Sequence, residues 1–185
     1  MLITPVQLVK EPLVLKETLA AGGIDFGADV TQTGPLYVNG RAELIEEHRG
    51  HGETVDDIRL RARMKGAFEL PCARCLEPVT QALDASFDLI YRPADVDAIA
   101  GEHAITEDET EIGYYEKGGL LLEDAVREQV LLTLPARVLC QEDCQGLSAG
   151  DIALRLGVTE PEGGSNRLPD PRWNALAGLD LKTKA

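Results

Sequence analysis

From Ile58 to Leu70 the chain alternates two kinds of residue. Ile58, Leu60, Ala62, Met64, Gly66, Phe68 and Leu70 fall on one parity, and Arg59, Arg61, Arg63, Lys65 and Glu69 on the other. Side chains that alternate with period two point to opposite faces of a pleated strand, so this segment predicts a long strand with one wet face. Pro71, which has no backbone donor, ends its regular part. Leu36, Val38, Gly40, Ala42 and Leu44 alternate with Tyr37, Asn39, Arg41 and Glu43 before it, with Ile45 as the exception. Leu83, Ala85, Phe87, Leu89 and Tyr91 alternate with Asp84, Ser86, Asp88 and Ile90 after it. Three such runs in sequence predict an antiparallel meander over residues 36–91.

Other segments read differently. Residues 1–35 carry Ile3, Val6, Leu8, Leu13 and Leu15 as short extended pieces, broken by Gly22, Gly23, Gly27 and Gly34. His48 to Glu53 reads as a turn. Between Pro93 and Ile112 stand seven acidic residues and no Lys or Arg, the pattern of a solvated excursion. Ile112–Tyr115 is expected to re-enter the sheet. Leu120 to Leu134 has helical spacing through Leu122, Ala125, Val126, Gln129, Val130 and Thr133, with Leu121 and Leu132 expected to widen the buried face. Glu123 and Asp124 suit its N-terminal dipole, and Pro135 stops it. Ser148 and Asp151 form an S-x-x-D capping box before Ile152, Leu154 and Leu156. A linker or tail follows from about 159, with a last short helix capped by Asp170 and docked through Trp173, Leu176 and Ala177. The fold class predicted is α+β: an antiparallel sheet or partly closed barrel, a packed helix and short C-terminal helices. One domain over 1–185 accounts for the whole, with the excursion at about 93–112.

With 18 Lys plus Arg against 32 Asp plus Glu, the formal charge is -14. That opposes broad, nonspecific affinity for nucleic acid while leaving room for a local basic patch. No stretch approaches the length of a membrane span, and the N-terminal residues lack a secretory pattern. A cytoplasmic protein with reduced cysteines is the expectation. There is no P-loop, dinucleotide fingerprint or nucleophile–histidine–acid order, and no enzyme is expected. His48, Arg49 and His51 make a polar turn, and His103 lies in the acidic excursion; neither completes a metal or nuclease motif.

All four cysteines occur in close pairs: Cys72 and Cys75 (CARC), and Cys140 and Cys144 (CQEDC), with 64 residues between. Two such turns can aim four thiolates at one ion, with Zn–S bonds of roughly 2.3 Å. Four protein ligands close the site, so one zinc per chain would be structural. Arg74 and Arg137 would offset its negative charge. The competing reading is four free, reduced thiols. Redox chemistry at Cys72 and Cys75 lacks the strand–cysteines–helix context it needs.

With these motifs in view, the chain resembles the YceD-like family of bacterial large ribosomal RNA subunit accumulation proteins. The resembling segments are Cys72 to Pro78 (CARCLEP), Phe87 to Tyr91 (FDLIY), Glu111 to Tyr115 (EIGYY), Leu122 to Pro135, Leu139 to Leu147 and Asp170 to Trp173. Together they cover roughly residues 10–180. Many members carry two more cysteines where this chain has Ser148 and Asp151, so a metal knuckle confined to the C-terminal segment is incomplete here. The surviving Cys140 and Cys144 either pair with Cys72 and Cys75 across the fold or are remnants of that knuckle. The resemblance implies a non-enzymatic role in ribosome biogenesis, supporting large-subunit (23S) ribosomal RNA accumulation.

On that reading Arg59, Arg61, Arg63 and Lys65 form one basic stripe at phosphate-contacting pitch, joined by Arg41 from the preceding strand and extended by Arg74. The precursor of the large-subunit ribosomal RNA is the expected partner. Against this, Glu43, Asp84 and Asp88 can pair with the arginines and turn the stripe into a structural charge ladder. The alternative function is a zinc-stabilised interaction module that binds a ribosome assembly protein and no RNA.

Overall fold

A computed structural model describes residues 1–48, 54–96, 112–116, 118–148 and 150–151. Its elements run β1 (Leu2–Ile3), α1 (Pro5–Leu8), β2 (Leu13–Leu19), β3 (Thr31–Gln32), β4 (Leu36–His48), β5 (Thr54–Pro71), β6 (Pro78–Pro93), β7 (Ile112–Tyr115), β8 (Leu120–Leu121) and α2 (Leu122–Thr133). Residues Met1–Gly146 form one compact unit and Leu147–Ala185 a second.

The three alternating runs become β4, β5 and β6, paired antiparallel with Ala62 opposite both Gly40 and Phe87. Period two decides the faces. Leu36, Val38, Ala42, Ile58, Leu60, Met64, Phe68 and Leu83 are buried in one apolar cluster. The partners of other parity face the opposite side. Leu122, Ala125, Val126 and Val130 of α2 are buried members of the same cluster.

The sheet is open, in the order β2-β4-β5-β6-β7 with β3 beside β5, so the barrel alternative is corrected. It is also not wholly antiparallel. β7 runs parallel to β6, from Ile90 opposite Ile112 to Pro93 opposite Tyr115. The long acidic connection after Pro93 makes this geometry accessible, because parallel neighbours need a crossover far longer than a hairpin turn. Ile112–Tyr115 does re-enter the sheet. A separate two-stranded ladder joins β1 to β8.

Two side chains depart from the expected helix face. Leu121 and Leu132 are 46% and 71% exposed. Leu121 precedes the helix in extended conformation, and Leu132 points away from the stripe formed by Leu122, Ala125, Val126 and Val130. In the second unit, the Ser148 hydroxyl accepts from the Asp151 N–H at 3.1 Å while the Asp151 carboxylate accepts from the Ser148 N–H at 3.0 Å, the reciprocal bonds of a capping box. The turn at 49–53, the acidic residues 97–111, the helix beyond Asp151 and the segment carrying Trp173 lie outside the described residues.

Candidate functional site

β5 ends at Pro71, paired with Pro78, and the hairpin between them is the first cysteine turn. The Cys72 N–H donates to the Glu77 carbonyl at 2.8 Å, and the Leu76 N–H to the Cys72 carbonyl at 3.0 Å. Leu76 adopts φ 64°, a left-handed conformation that a side chain takes at a cost and that tightens the turn. The second cysteine turn follows α2, past Leu134 and Val138, both buried. Its N–H to carbonyl bond runs from Cys144 to Gln141, and Gly146 supplies a left-handed residue at φ 79°.

The two turns are tied together by main-chain groups and one arginine. Ala73 N–H donates to the Val138 carbonyl at 2.8 Å, and Cys140 N–H to the Cys72 sulfur at 3.4 Å. Arg74 donates through Nη1 to the carbonyls of Glu142 at 3.1 Å and Cys144 at 2.8 Å. Arg74 thus belongs to the cysteine turns, where its guanidinium holds two carbonyls of the far turn. Its lining of the far turn was invisible in the sequence, since only the tertiary fold brings residue 142 beside residue 74.

All four sulfurs lie within 4.8 Å of one another. Cys72 Sγ is 3.9 Å from Cys144 Sγ, and Cys75 Sγ is 3.6 Å from Cys140 Sγ. A tetrahedron with Zn–S bonds near 2.3 Å has edges of about 3.8 Å. No disulfide joins them. Cys72 and Cys144 are buried, Cys75 is half-buried and Cys140 is exposed. Backbone N–H groups of Cys75, Arg74 and Cys140 converge on the Cys72 sulfur and hold its thiol down at about 6. Bonds to the Cys144 and Cys75 sulfurs push Cys140 up to about 12. Adjacent sulfurs resist carrying negative charge together, and a soft divalent cation removes that resistance. The donor set and its spacing fit a closed structural metal site.

The predicted basic stripe occupies the wet face of β4, β5 and β6. Arg59 donates through Nε and Nη2 to both oxygens of Asp88, at 2.8 and 2.7 Å. Arg63 makes the same fork to Asp84, at 2.7 and 2.9 Å. Arg61 pairs with Glu43, which also receives Arg41 at 3.0 Å. Lys65 stands opposite Asp84. The Asp84 carboxyl is held below the usual range by the Arg63 hydrogen bond, and Asp88 by that of Arg59. The stripe is therefore a lattice of alternating charge.

A second ionic group escaped sequence reasoning. Arg92 and Asp57 are each 3% exposed. Arg92 forks onto Asp57 at 3.1 and 2.8 Å and also reaches Glu47. Nothing in the sequence pattern marks it: Asp57 and Arg92 keep the polar parity of β5 and β6, and their burial beside buried Ile58 and Tyr91 is decided by the fold. β7 pairs with β6 at Arg92, opposite Tyr114, so β6 is not an edge strand there.

The fold and site define an open-sheet protein in which the cysteine turn of the β5–β6 hairpin meets a second cysteine turn that follows α2. The chain belongs to the YceD family, described as large ribosomal RNA subunit accumulation protein, whose pattern matches residues 60–180. It is also similar to the uncharacterized protein YlbN of Bacillus subtilis (strain 168), 23% identical over 175 residues, covering 94% of this chain and 91% of that protein. No solved structure matches it. Among the described residues, no helix is long and apolar enough to cross a membrane.

Proposed function

We propose that this chain supports accumulation of large-subunit ribosomal RNA in the cytoplasm as a non-enzymatic assembly factor, acting through a protein partner. Membership of the YceD family supplies the process. The observation that favours a protein partner is the charge lattice: Arg59, Arg61 and Arg63 each hold a carboxylate on the face where RNA contact would require free guanidinium groups. A phosphate binding there would have to displace Asp88, Glu43 or Asp84 and meet their negative charge.

The four cysteines are read as ligands of one structural zinc. When bound, the metal supplies a crosslink between the turn after β5 and the turn after α2. The chain's own residues do the rest. Arg74 clasps the far turn, the Cys140 N–H supports the Cys72 sulfur, and Leu76 and Gly146 bend the backbone so that the sulfurs converge.

The test replaces Arg61 and Arg63 together with glutamine after confirming an unchanged fold. Unaltered binding of precursor ribosomal RNA, an unaltered salt slope and rescue of a depletion strain support the protein-mediated role. A strong loss of affinity, with a salt slope shallower by up to about two contacts, transfers the role to direct RNA recognition. Normal large-subunit RNA levels in cells lacking the protein would overturn the process itself.

A further inference from the structure

Beside β7, the start of α2 borders a cleft lined by Tyr91, Tyr114, Tyr115, Glu116, Asp124 and Glu128. Asp124 and Glu128 are exposed and one helical turn apart, so they share a face. None of the described residues lining the cleft is cationic. Its volume of about 160 Å³ is below the range of about 300–1,000 Å³ typical of sites for whole drug-sized ligands. It suits a single side-chain head group.

Tyr91 makes this more than a patch of acids. The residue is 3% exposed, and its hydroxyl is enclosed without a hydrogen-bond partner among the described residues. An enclosed phenol normally finds one. The ring cannot turn away easily, because Gly113 lies against it; a Cβ on Gly113 would come within 2.6 Å of the ring. Burial first, and the Glu128 charge second, hold the phenol above its ordinary value, so it keeps its proton and its oxygen remains an acceptor.

We propose that this cleft receives an arginine or lysine side chain of a basic polypeptide. Asp124 and Glu128 supply opposite charge, the exposed Tyr114 ring supplies a face for cation–π contact, and the Tyr91 oxygen, closed off in the free protein, accepts an N–H as the head group seats. Arginine fits better than lysine, because its planar fork can meet a carboxylate and an aromatic face together. The formal charge of -14 steers a basic chain toward this surface and an RNA phosphate away from it. The inference rests on the protein-mediated reading above and names the class of partner.

The full chain is titrated with three fluorescent probes: a peptide of alternating glycine and arginine, its lysine counterpart, and an oligouridylate. Asp124→Asn with Glu128→Gln should weaken the arginine peptide at least about tenfold. An equal charge change at Glu11→Gln with Asp29→Asn, exposed and outside the cleft lining, should weaken it less than about threefold, since exposed charges act through screened water. Tyr91→Phe, nearly isosteric, should weaken it severalfold; unchanged affinity would remove the phenol from the site. Equal losses in the cleft and control variants would reduce the effect to net charge and overturn the proposal, as would absence of peptide binding or tighter binding of the oligouridylate. Failure of the peptide titration removes the partner class while leaving any RNA-level phenotype intact; normal RNA levels without the protein overturn the process while leaving peptide binding intact.

Discussion

Arg63 lies directly opposite Ser86, yet its guanidinium forks onto Asp84, two residues along β6. Arg59 repeats the offset, lying opposite Ile90 and binding Asp88. Diagonal neighbours in an antiparallel pair are within reach of long side chains, and the repeated offset makes the ladder a register lock. Substituting Arg63→Gln should lower Tm by no more than about 2–4 °C, with the difference shrinking in high salt. Scanning calorimetry at two ionic strengths checks this.

The same pairs give acid sensitivity a defined sign. Asp84 and Asp88 titrate below their unfolded value of about 3.9, so around that pH the unfolded chain binds more protons than the folded one. Their stabilisation is complete above that value and disappears as pH falls through the lowered folded values. Asp84→Asn with Asp88→Asn should therefore be less stable than the native chain at pH 7. The gap should close below about pH 4. Urea melts across pH 3–7 measure the convergence.

The buried fork between Arg92 and Asp57 behaves differently. Asp57→Ala leaves a buried guanidinium without the carboxylate onto which it forks, and should cost about 3–5 kcal/mol. Replacing Arg92 and Asp57 together with leucine should cost less than Asp57→Ala alone, because the two buried charges leave together and the half-buried Glu47 keeps access to water. A double-mutant cycle by urea denaturation decides it.

Cys72→Ser should abolish stoichiometric zinc and lower stability by several kcal/mol, since Cys72 is buried at the junction of both turns. Arg74→Gln should retain zinc but release it faster to a chelator, because it removes the clasp on Glu142 and Cys144 while leaving all four sulfurs. Elemental analysis and chelator competition provide the readouts.

Gly40 sits mid-strand where a Cβ would lie 2.1 Å from the Arg61 carbonyl oxygen and 2.6 Å from the Ala62 Cα. Both obstacles are backbone, so β4 and β5 would have to separate. Gly40→Ala should cost at least about 1–3 kcal/mol. The midpoint of urea unfolding reports it.

The sequence by itself determined the faces of β4, β5 and β6. With side chains alternating at period two, residues such as Leu60, Met64 and Phe68 could reach a core only together. Spacing also identified four thiols in two turns, and Ser148 with Asp151 as a cap, because these signals span only a few residues. The tertiary structure alone decided which carboxylate each arginine holds, since that depends on register between strands about twenty to thirty residues apart. It placed Arg74 on the far cysteine turn, turned Leu121 and Leu132 outward, and brought β7 back parallel to β6. It also buried Arg92 with Asp57, a pairing that burial permits only when a second strand delivers the opposite charge. Local periodicity fixes which side of a strand is dry; long-range pairing fixes which charges meet.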